Sequence, residues 1–185
     1  WTQTSTGFGT SCFWGAGSAW GTGIVYGNGL FVAPSFQSGH PVWTSPDGVT
    51  WTSNANPSGN GDIAFGNNTF VICCPNGSQC AISSTGTSWT AVTLPFNSGG
   101  NGSLVLHNGA TFLIWMNTIN RVMVSTTGGN GTWTGGAPNG VSLNNHDFGM
   151  VKSGVFFLGS KGGVASKTSP DGVTWTDVSV LPYTQ

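Results

Sequence analysis

Charged side chains are scarce in this sequence, and their scarcity excludes several classes of function. Only 5% of the 185 residues are charged; there is no glutamate, and the formal net charge is −1. Binding the phosphates of a nucleic acid takes more cations than the chain carries, and a basic membrane-surface patch is excluded for the same reason. No apolar run approaches the roughly 18 residues of a membrane-spanning helix. Nucleic-acid binding and membrane insertion are therefore not expected.

Good helix formers are also rare, whereas residues suited to strands and turns are abundant. Glycine (31 residues), serine, threonine and asparagine fill most of the chain, and Gly or a β-branched residue interrupts almost every window of ten. Hydrophobic residues make up 37%, with 9 Trp and 11 Phe, which is enough material for a core. The composition therefore predicts an ordered, all-β chain with many tight turns.

An internal repeat indicates how the strands are organised. The nine residues 44–52 (Thr-Ser-Pro-Asp-Gly-Val-Thr-Trp-Thr) recur unchanged at 168–176, and degenerate copies lie at 83–90 and 125–134. Each copy follows two apolar segments joined by a tight turn such as Gly-Asn-Gly. A four-stranded unit of about 40 residues, repeated in series, is typical of a propeller blade. The sequence predicts a β-propeller of about four four-stranded blades, with a β-sandwich as the alternative.

The repeat also divides the chain. We expect a single domain over 1–185, with an N-terminal strand and insertion at 1–18 and blades at about 19–56, 57–96, 97–138 and 139–182. Trp1 and Thr2 form a fifth copy of the Trp-Thr signature, which would cover an edge of the ring or pair with another copy of the protein. A chain that begins with Trp1 rather than Met is interpreted as a piece of a longer protein.

The repeated turn resembles the Asp-box of bacterial neuraminidases, Ser/Thr-x-Asp, an optional residue, then Gly-x-x-Trp. The matching residues are Ser45, Asp47, Gly48 and Trp51, and again Ser169, Asp171, Gly172 and Trp175. The blades also look like propeller repeats of phage tail and bacterial surface proteins. The resemblance implies a folding role, in which the Asp and Ser oxygens accept backbone N–H bonds, Gly adopts a positive φ, and Trp packs between sheets.

The four cysteines do not have the spacing of a zinc site. Adjacent cysteines on a strand point to opposite faces, and Cys74 and Cys80 flank a Pro-Asn-Gly turn. We therefore expect a Cys74–Cys80 disulfide, which leaves Cys73 to pair with Cys12. The even count suits an oxidising location, extracellular or on a virion surface. Buried free thiols are the alternative.

Few side chains are suited to catalysis. A sialidase needs an arginine cluster and a Tyr–Glu pair, whereas this chain has only Arg121 and no glutamate. Other glycosidases need two carboxylates at a set separation. Asp62 and Asp147 start the innermost strands of the second and fourth blades, where they could hold a cation across the channel or simply bond to a local turn. We expect a protein that is not an enzyme, with no catalytic residue, metal or cofactor.

Aromatic rings that interrupt the repeat are the candidates for ligand binding, because indoles stack on sugar faces. Within the repeats these are Trp43, aligned with Ile82, Val124 and Lys167, and Trp115; outside them lie Trp14 and Trp20. Burial in the fold or in a subunit contact is the alternative for Trp43 and Trp115.

The expected function is attachment at an extracellular or virion surface, through glycans or another feature of a host surface. The alternative is a structural subunit, a capsid decoration or filament protein, whose partners are other copies of itself or other surface subunits.

Overall fold

The chain forms an all-β structure. The computed structural model describes residues 23–35, 41–55, 61–73, 79–96, 103–116, 119–138, 148–159 and 165–178. Within these residues sixteen strands form four antiparallel sheets of four strands each, which confirms the predicted fold class. None of the described segments forms a helix that could cross a membrane. The predicted N-terminal strand lies outside the described residues, and the blade boundaries stay predictions.

Each sheet is a four-stranded meander, here called a blade. Blade 1 contains β1 (Val25–Gly27), β2 (Leu30–Ala33), β3 (Val42–Ser45) and β4 (Thr52–Asn54). Blade 2 contains β5 (Asp62–Gly66), β6 (Thr69–Cys73), β7 (Gln79–Ser83) and β8 (Thr90–Thr93). Blade 3 contains β9 (Ser103–His107), β10 (Phe112–Met116), β11 (Arg121–Ser125) and β12 (Thr134–Gly136). Blade 4 contains β13 (Phe148–Lys152), β14 (Val155–Gly159), β15 (Lys167–Ser169) and β16 (Thr176–Asp177).

Tight turns connect the first two strands of the blades. Asn28 and Gly29 have φ values of 49° and 80°, and Ser153 and Gly154 have values of 51° and 77°. Two consecutive residues with positive φ twist the chain in the sense that an antiparallel pair requires, and Asn and Gly adopt this conformation most readily. The turn sequences therefore set the register of the inner hairpins.

The blades stack in chain order, with β1 beside β5, β5 beside β9, and β9 beside β13. Three apolar layers separate them. The layer between blades 1 and 2 includes Val32 and Phe70, the next includes Val71 and Ile114, and the third includes Trp115. We call the side of a blade that packs on the preceding blade its front face, and the side that packs on the following blade its back face.

The four blades form an arc rather than a closed ring. Among the described strands, β13 makes no extensive contact with β1. Ile24 and Tyr26 on blade 1 are 52% and 59% exposed, and Phe148 and Met150 on blade 4 are 48% and 49% exposed. Closure of four blades would bury all four side chains. The repeat count predicts the number of blades, but curvature depends on the side-chain volumes between sheets, which the count does not contain.

The disulfide differs from the expected pairing. Cys73 bonds to Cys80, with their Cα atoms 4.2 Å apart. The two residues are direct partners in the β6–β7 register, and such a pair brings side chains on one face close together. Register therefore selects Cys73 rather than Cys74, and it also rules out the expected Cys12–Cys73 bond. Cys12 and Cys74 lie outside the described residues.

Candidate functional site

The first repeated turn uses its own polar groups internally. Ser45 Oγ donates to Asp47 Oδ1 at 2.9 Å and accepts from the Gly48 N–H at 2.9 Å. Asp47 Oδ1 also accepts from the Thr50 N–H at 2.7 Å, and Trp51 Nε1 donates to the Gly48 carbonyl at 3.2 Å. The backbone bonds, that from Thr50 foremost, lower the pKa of Asp47 to about 2. The Oδ1 atom of Asp47 is thus committed to the turn.

The second turn repeats these bonds. Ser169 Oγ donates to Asp171 Oδ1 at 2.9 Å, and Asp171 accepts from the Thr174 N–H at 2.7 Å. The Gly172 N–H donates to Ser169 Oγ at 2.8 Å, and Trp175 Nε1 donates to the Gly172 carbonyl at 3.1 Å. Burial of Asp171 opposes ionisation, but the hydrogen bonds outweigh it, so the pKa lies below its ordinary value. Neither aspartate is arranged to bind a ligand.

The two middle blades keep the turn without an aspartate. Ser83 and Ser125 accept from the N–H groups of Gly86 and Gly128 at 2.7 and 2.8 Å. A threonine follows each serine at the position of the aspartate, and Thr85 Oγ1 accepts backbone N–H bonds as Asp47 does. A serine–glycine bond common to all four blades is therefore the core of this turn.

An asparagine latch joins each hairpin turn to the next blade. In each case the side-chain amide donates to two backbone carbonyls. The pairs are Asn28 to Asn68 (3.3 Å) and Ser84 (2.7 Å), Asn67 to Ala110 (3.2 Å) and Thr126 (2.8 Å), and Asn108 to Gly154 (3.0 Å) and Pro170 (3.0 Å). Blade 4 carries Lys152 and Ser153 at this edge instead.

Asp62 links three blades. Its carboxylate accepts from the Val105 N–H of blade 3 at 2.9 Å, and from the N–H groups of Ile63 in blade 2 and Gly23 just before β1. Burial raises the pKa of Asp62 to about 6, against the opposing effect of these bonds. Its oxygens are therefore occupied by backbone donors. Its suggested partner across a channel, Asp147, lies outside the described residues.

The described residues contain no group of three or more His, Cys, Asp or Glu side chains placed to hold a metal ion. The carboxylates that the structure describes serve turns, the Asp62 junction, or the ion pair between Asp177 and the buried Lys167.

Trp115 is a core residue. Its side chain is 1% exposed and packs on the back face of blade 3, against Leu158 and Trp175 of blade 4. The predicted ligand-stacking role of Trp115 is therefore wrong for the folded chain, because no ligand reaches its indole ring. Trp14 and Trp20 lie outside the described residues.

Trp43 lies on the front face of blade 1. It pairs with Ala33 in the β2–β3 register, as Ala81, Met123 and Lys167 pair with the matching residues of the other blades. The alignment with Ile82 and Val124 was thus one residue out. The equivalents of Trp43 are all buried against a preceding blade, whereas Trp43 itself is partly exposed.

Among the described residues, the two ends of the arc are the main uncovered apolar surfaces. The front face of blade 1 carries Ile24, Tyr26, Phe31, Trp43 and Trp51, with the rings of Tyr26 and Phe31 4.8 Å apart. The back face of blade 4 carries Phe148, Met150, Lys152, Val155 and Phe157, which line a cavity of about 460 Å³ together with Ser153 and Thr168. Four of the five half-exposed large apolar side chains in the described residues belong to these end faces.

Sequence reasoning missed the end faces because it treated the inner strands as core in every blade. One signal was present: Lys152 lies in an inner hairpin where blades 1 and 2 have Gly27 and Gly66. A charged residue at this position distinguishes blade 4 from blades 1 and 2, whose back faces are covered within the chain.

Comparison with known proteins supports the fold. No protein-family model matches the chain, and no curated protein matches it significantly. Solved structures do match. The GH74 enzyme of Niastella koreensis aligns at 24% identity over 84% of this chain and 23% of its own, with a TM-score of 0.58. Catalytically inactive virginiamycin B lyase from Staphylococcus aureus, solved with quinupristin, aligns at 14% identity over 87% of this chain and 56% of its own, with a TM-score of 0.67.

The fold is that of a β-propeller. The chain spans about a quarter of the GH74 enzyme and about half of the lyase. At these identities the similarity concerns the fold alone.

The comparison contradicts the expectation that this chain is not an enzyme, because the similar structures include a GH74 enzyme and a lyase. The expectation rested on a count of side chains. One arginine and no glutamate argue against sialidase chemistry, but this argument does not extend to every reaction that a propeller can support.

Proposed function

We propose that the chain is a structural subunit of an extracellular or virion-surface assembly, and that its two end faces pack against other protein. The exposed apolar side chains at both ends of the arc are the observation that carries this proposal. The Cys73–Cys80 disulfide supports an oxidising location.

Comparison with the inner blades indicates that the end faces lack a covering neighbour. Ile63, the counterpart of Ile24 on blade 2, is 4% exposed because blade 1 covers it. Contiguous apolar patches of this kind mark interaction surfaces in soluble proteins. The low charge of the chain fits the same role, since charged side chains on sheet edges are a usual device against association.

Methionine oxidation tests the proposal. Met150 is half exposed in the isolated chain, whereas Met116 and Met123 are buried and serve as internal controls. Dilute peroxide should oxidise Met150 first in a monomeric chain, for which the Tyr26→Glu variant is used because its substitution lies on the other end face, and much more slowly in the assembly isolated from its natural source. Peptide mass spectrometry gives both rates. Equal oxidation of Met150 in the two samples would contradict the proposal.

Glycan attachment is a second candidate, and the exposed ring of Tyr26 beside the partly exposed ring of Trp43 on one face favours it. Aromatic side chains with a polar group at one end suit the mixed surface of a sugar. A glycan array should then show saturable binding that Tyr26→Ala and Trp43→Ala abolish and Thr90→Ala, on the outer strand of blade 2, leaves intact. No detectable binding of the parent chain across a broad array, or binding that neither aromatic substitution weakens, would contradict glycan attachment.

The two Ser-Pro-Asp-Gly turns are of the Asp-box type in this proposal. The shared bonds of Asp47 and Asp171 to backbone N–H groups support a folding role for both. Either function therefore resides on the faces of the blades, and the turns hold the strands that carry them.

A further inference from the structure

We infer that the partner of the end faces is a second copy of this chain, and that two copies close one ring of eight blades. This inference rests on the proposed structural role and names its partner. In such a ring the front face of blade 1 in each copy packs on the back face of blade 4 in the other. The two interfaces are identical by two-fold symmetry, and the ring leaves no end face uncovered.

The first argument is continuity with the interfaces inside the chain. Each internal interface joins a back face to a front face, and every front face presents the same buried Phe: Phe70, Phe112 and Phe156. Blade 1 presents Phe31 at this position, although no described blade precedes it. Its front face is therefore built like those that receive a neighbour, and the uncovered back face of blade 4 is the surface that would complete it.

The second argument is the latch edge. Register places Lys152 of blade 4 where Asn108 lies in blade 3, one residue before the position of the latches in blades 1 and 2. Asn108 donates to the Pro170 carbonyl in the next turn. The equivalent acceptor on blade 1 is the Pro46 carbonyl, next to the exposed carboxylate of Asp47. An ammonium group at Lys152 suits both acceptors, because it donates three hydrogen bonds and carries the opposite charge to Asp47.

The third argument is the size of the arc. The four blades fit 56% of the chain of virginiamycin B lyase, a β-propeller. Taken as a share of one ring, this length corresponds to slightly more than half a turn, so that two copies suffice for closure with a small opening of the angle between blades. Eight blades are within the range of known propellers.

Mass in solution is the first test. The full chain should have twice its own mass of 19.0 kDa by light scattering at micromolar concentration. Met150→Glu on the blade 4 face, and separately Tyr26→Glu on the blade 1 face, should each weaken self-association by at least about 100-fold, because each buries an unpaired carboxylate twice in the ring. Thr90→Glu, exposed on the outer strand of blade 2, should leave the mass unchanged.

Mixing the two variants identifies the arrangement. A pair made of Met150→Glu and Tyr26→Glu chains has both substitutions in one interface and none in the other. Native mass spectrometry should therefore detect a heterodimer in the mixture, although each variant alone stays monomeric. A dimer built from two blade 4 faces would survive Tyr26→Glu, and this result would overturn the inference. Circular dichroism establishes that each variant is folded.

A parent chain that remains at 19.0 kDa up to 100 micromolar, or that forms any species other than a dimer, would overturn the two-copy ring. Protection of Met150 in the natural assembly would then still support the structural role with a different partner. The two proposals therefore fail on different measurements.

Discussion

Residues 44–52 and 168–176 have the same nine-residue sequence but different surroundings. Their internal hydrogen bonds agree to within 0.1 Å, as in the bonds of Thr50 and Thr174 to the two aspartates, both 2.7 Å. Burial differs. Trp175 is 5% exposed and Gly172 is buried, because blade 3 covers the turn, whereas Trp51 is half-buried and Gly48 is exposed. Local sequence therefore determines the shape of the turn, and the neighbouring blade determines how much stability it contributes.

Truncation of the two tryptophans should give the largest contrast. Trp175→Ala should lower the free energy of unfolding by about 3–5 kcal/mol, because it empties a site between two blades. Trp51→Ala should lower the free energy of unfolding by less than half as much, since only blade 1 packs against the Trp51 indole. Both indoles donate to a glycine carbonyl of their own turn, so the loss of this bond cancels in the comparison.

Urea unfolding measures this contrast, and it is best made in the Met150→Glu background, which keeps the blade 1 face uncovered if the two-copy ring exists. In the parent chain, closure of the two-copy ring would bury Trp51 and so reduce the difference between the free energies of unfolding lost by the two variants. Equal losses for the two variants in the Met150→Glu background would refute the view that the preceding blade supplies the difference.

Asp62 extends the comparison from packing to ionisation. Like Asp47 it accepts backbone N–H bonds, yet its pKa rises to about 6, because it lies among three blades whereas Asp47 lies in solvent. The native state therefore holds this proton more tightly than the unfolded chain does. Stability due to Asp62 is full below about pH 4 and declines as the pH rises towards 6, by up to about 3 kcal/mol in total.

Asp62→Asn removes the titrating group, so its free energy of unfolding should fall less, or rise more, between pH 4 and pH 7 than that of the parent chain. Burial lowers the pKa of His107, which adds stability with rising pH in both chains alike. Chemical denaturation at four pH values in this range gives both slopes. Parallel slopes would mean that the Asp62 carboxyl is not buried enough to favour its protonated form.

The fold class followed from the sequence because turn chemistry is local. The Ser-Gly turns and the Asn-containing hairpin turns mark the ends of strands wherever they occur. Four repeats of these turns therefore predicted four sheets. The arc did not follow, because the angle between blades depends on contacts between sheets. Gly27, for example, lies directly against the ring of Phe65, and Gly66 lies against His107, so closely that no Cβ would fit at either glycine. These pairs are 38 and 41 positions apart in the chain, and nothing in the repeat matches one to the other.

The candidate site was harder to predict for the same reason. Trp43 and Trp115 both interrupt the repeat, but one is on an end face and the other is between blades 3 and 4, and only the stacking order distinguishes them. The disulfide required the register of β6 and β7, which differs by one residue between Cys73 and Cys74. The alternation of side chains between the two faces of a strand does not by itself choose between Cys73 and Cys74.

A smaller contrast is expected at the turn glycines. Both have positive φ, 75° at Gly48 and 79° at Gly172, so alanine strains either turn by about 1–2 kcal/mol. At Gly172 the added methyl would also lie 2.7 Å from Val124, whereas at Gly48 the nearest atom is 3.6 Å away on Phe31. In the Met150→Glu background, which keeps the blade 1 face uncovered, Gly172→Ala should thus cost about 1–3 kcal/mol more than Gly48→Ala by urea unfolding. Equal costs would show that blade 3 yields at this contact.

The aspartates of the two turns should give almost no contrast. Asp47→Asn and Asp171→Asn remove the same charge-assisted bonds from the N–H groups at the second and third positions after the aspartate, and both carboxylates lie near the surface. Both pKa values are lowered in the folded chain, so each carboxylate contributes stability above its unfolded pKa of 3.8, and this contribution is lost as the pH falls towards about 2 at Asp47. The two variants should therefore shift the urea midpoint equally at pH 7, and each should differ less from the parent at pH 2.5. A larger shift for Asp171→Asn would mean that blade 3 strengthens the turn bonds themselves, and that the two copies of the repeat are not locally equivalent.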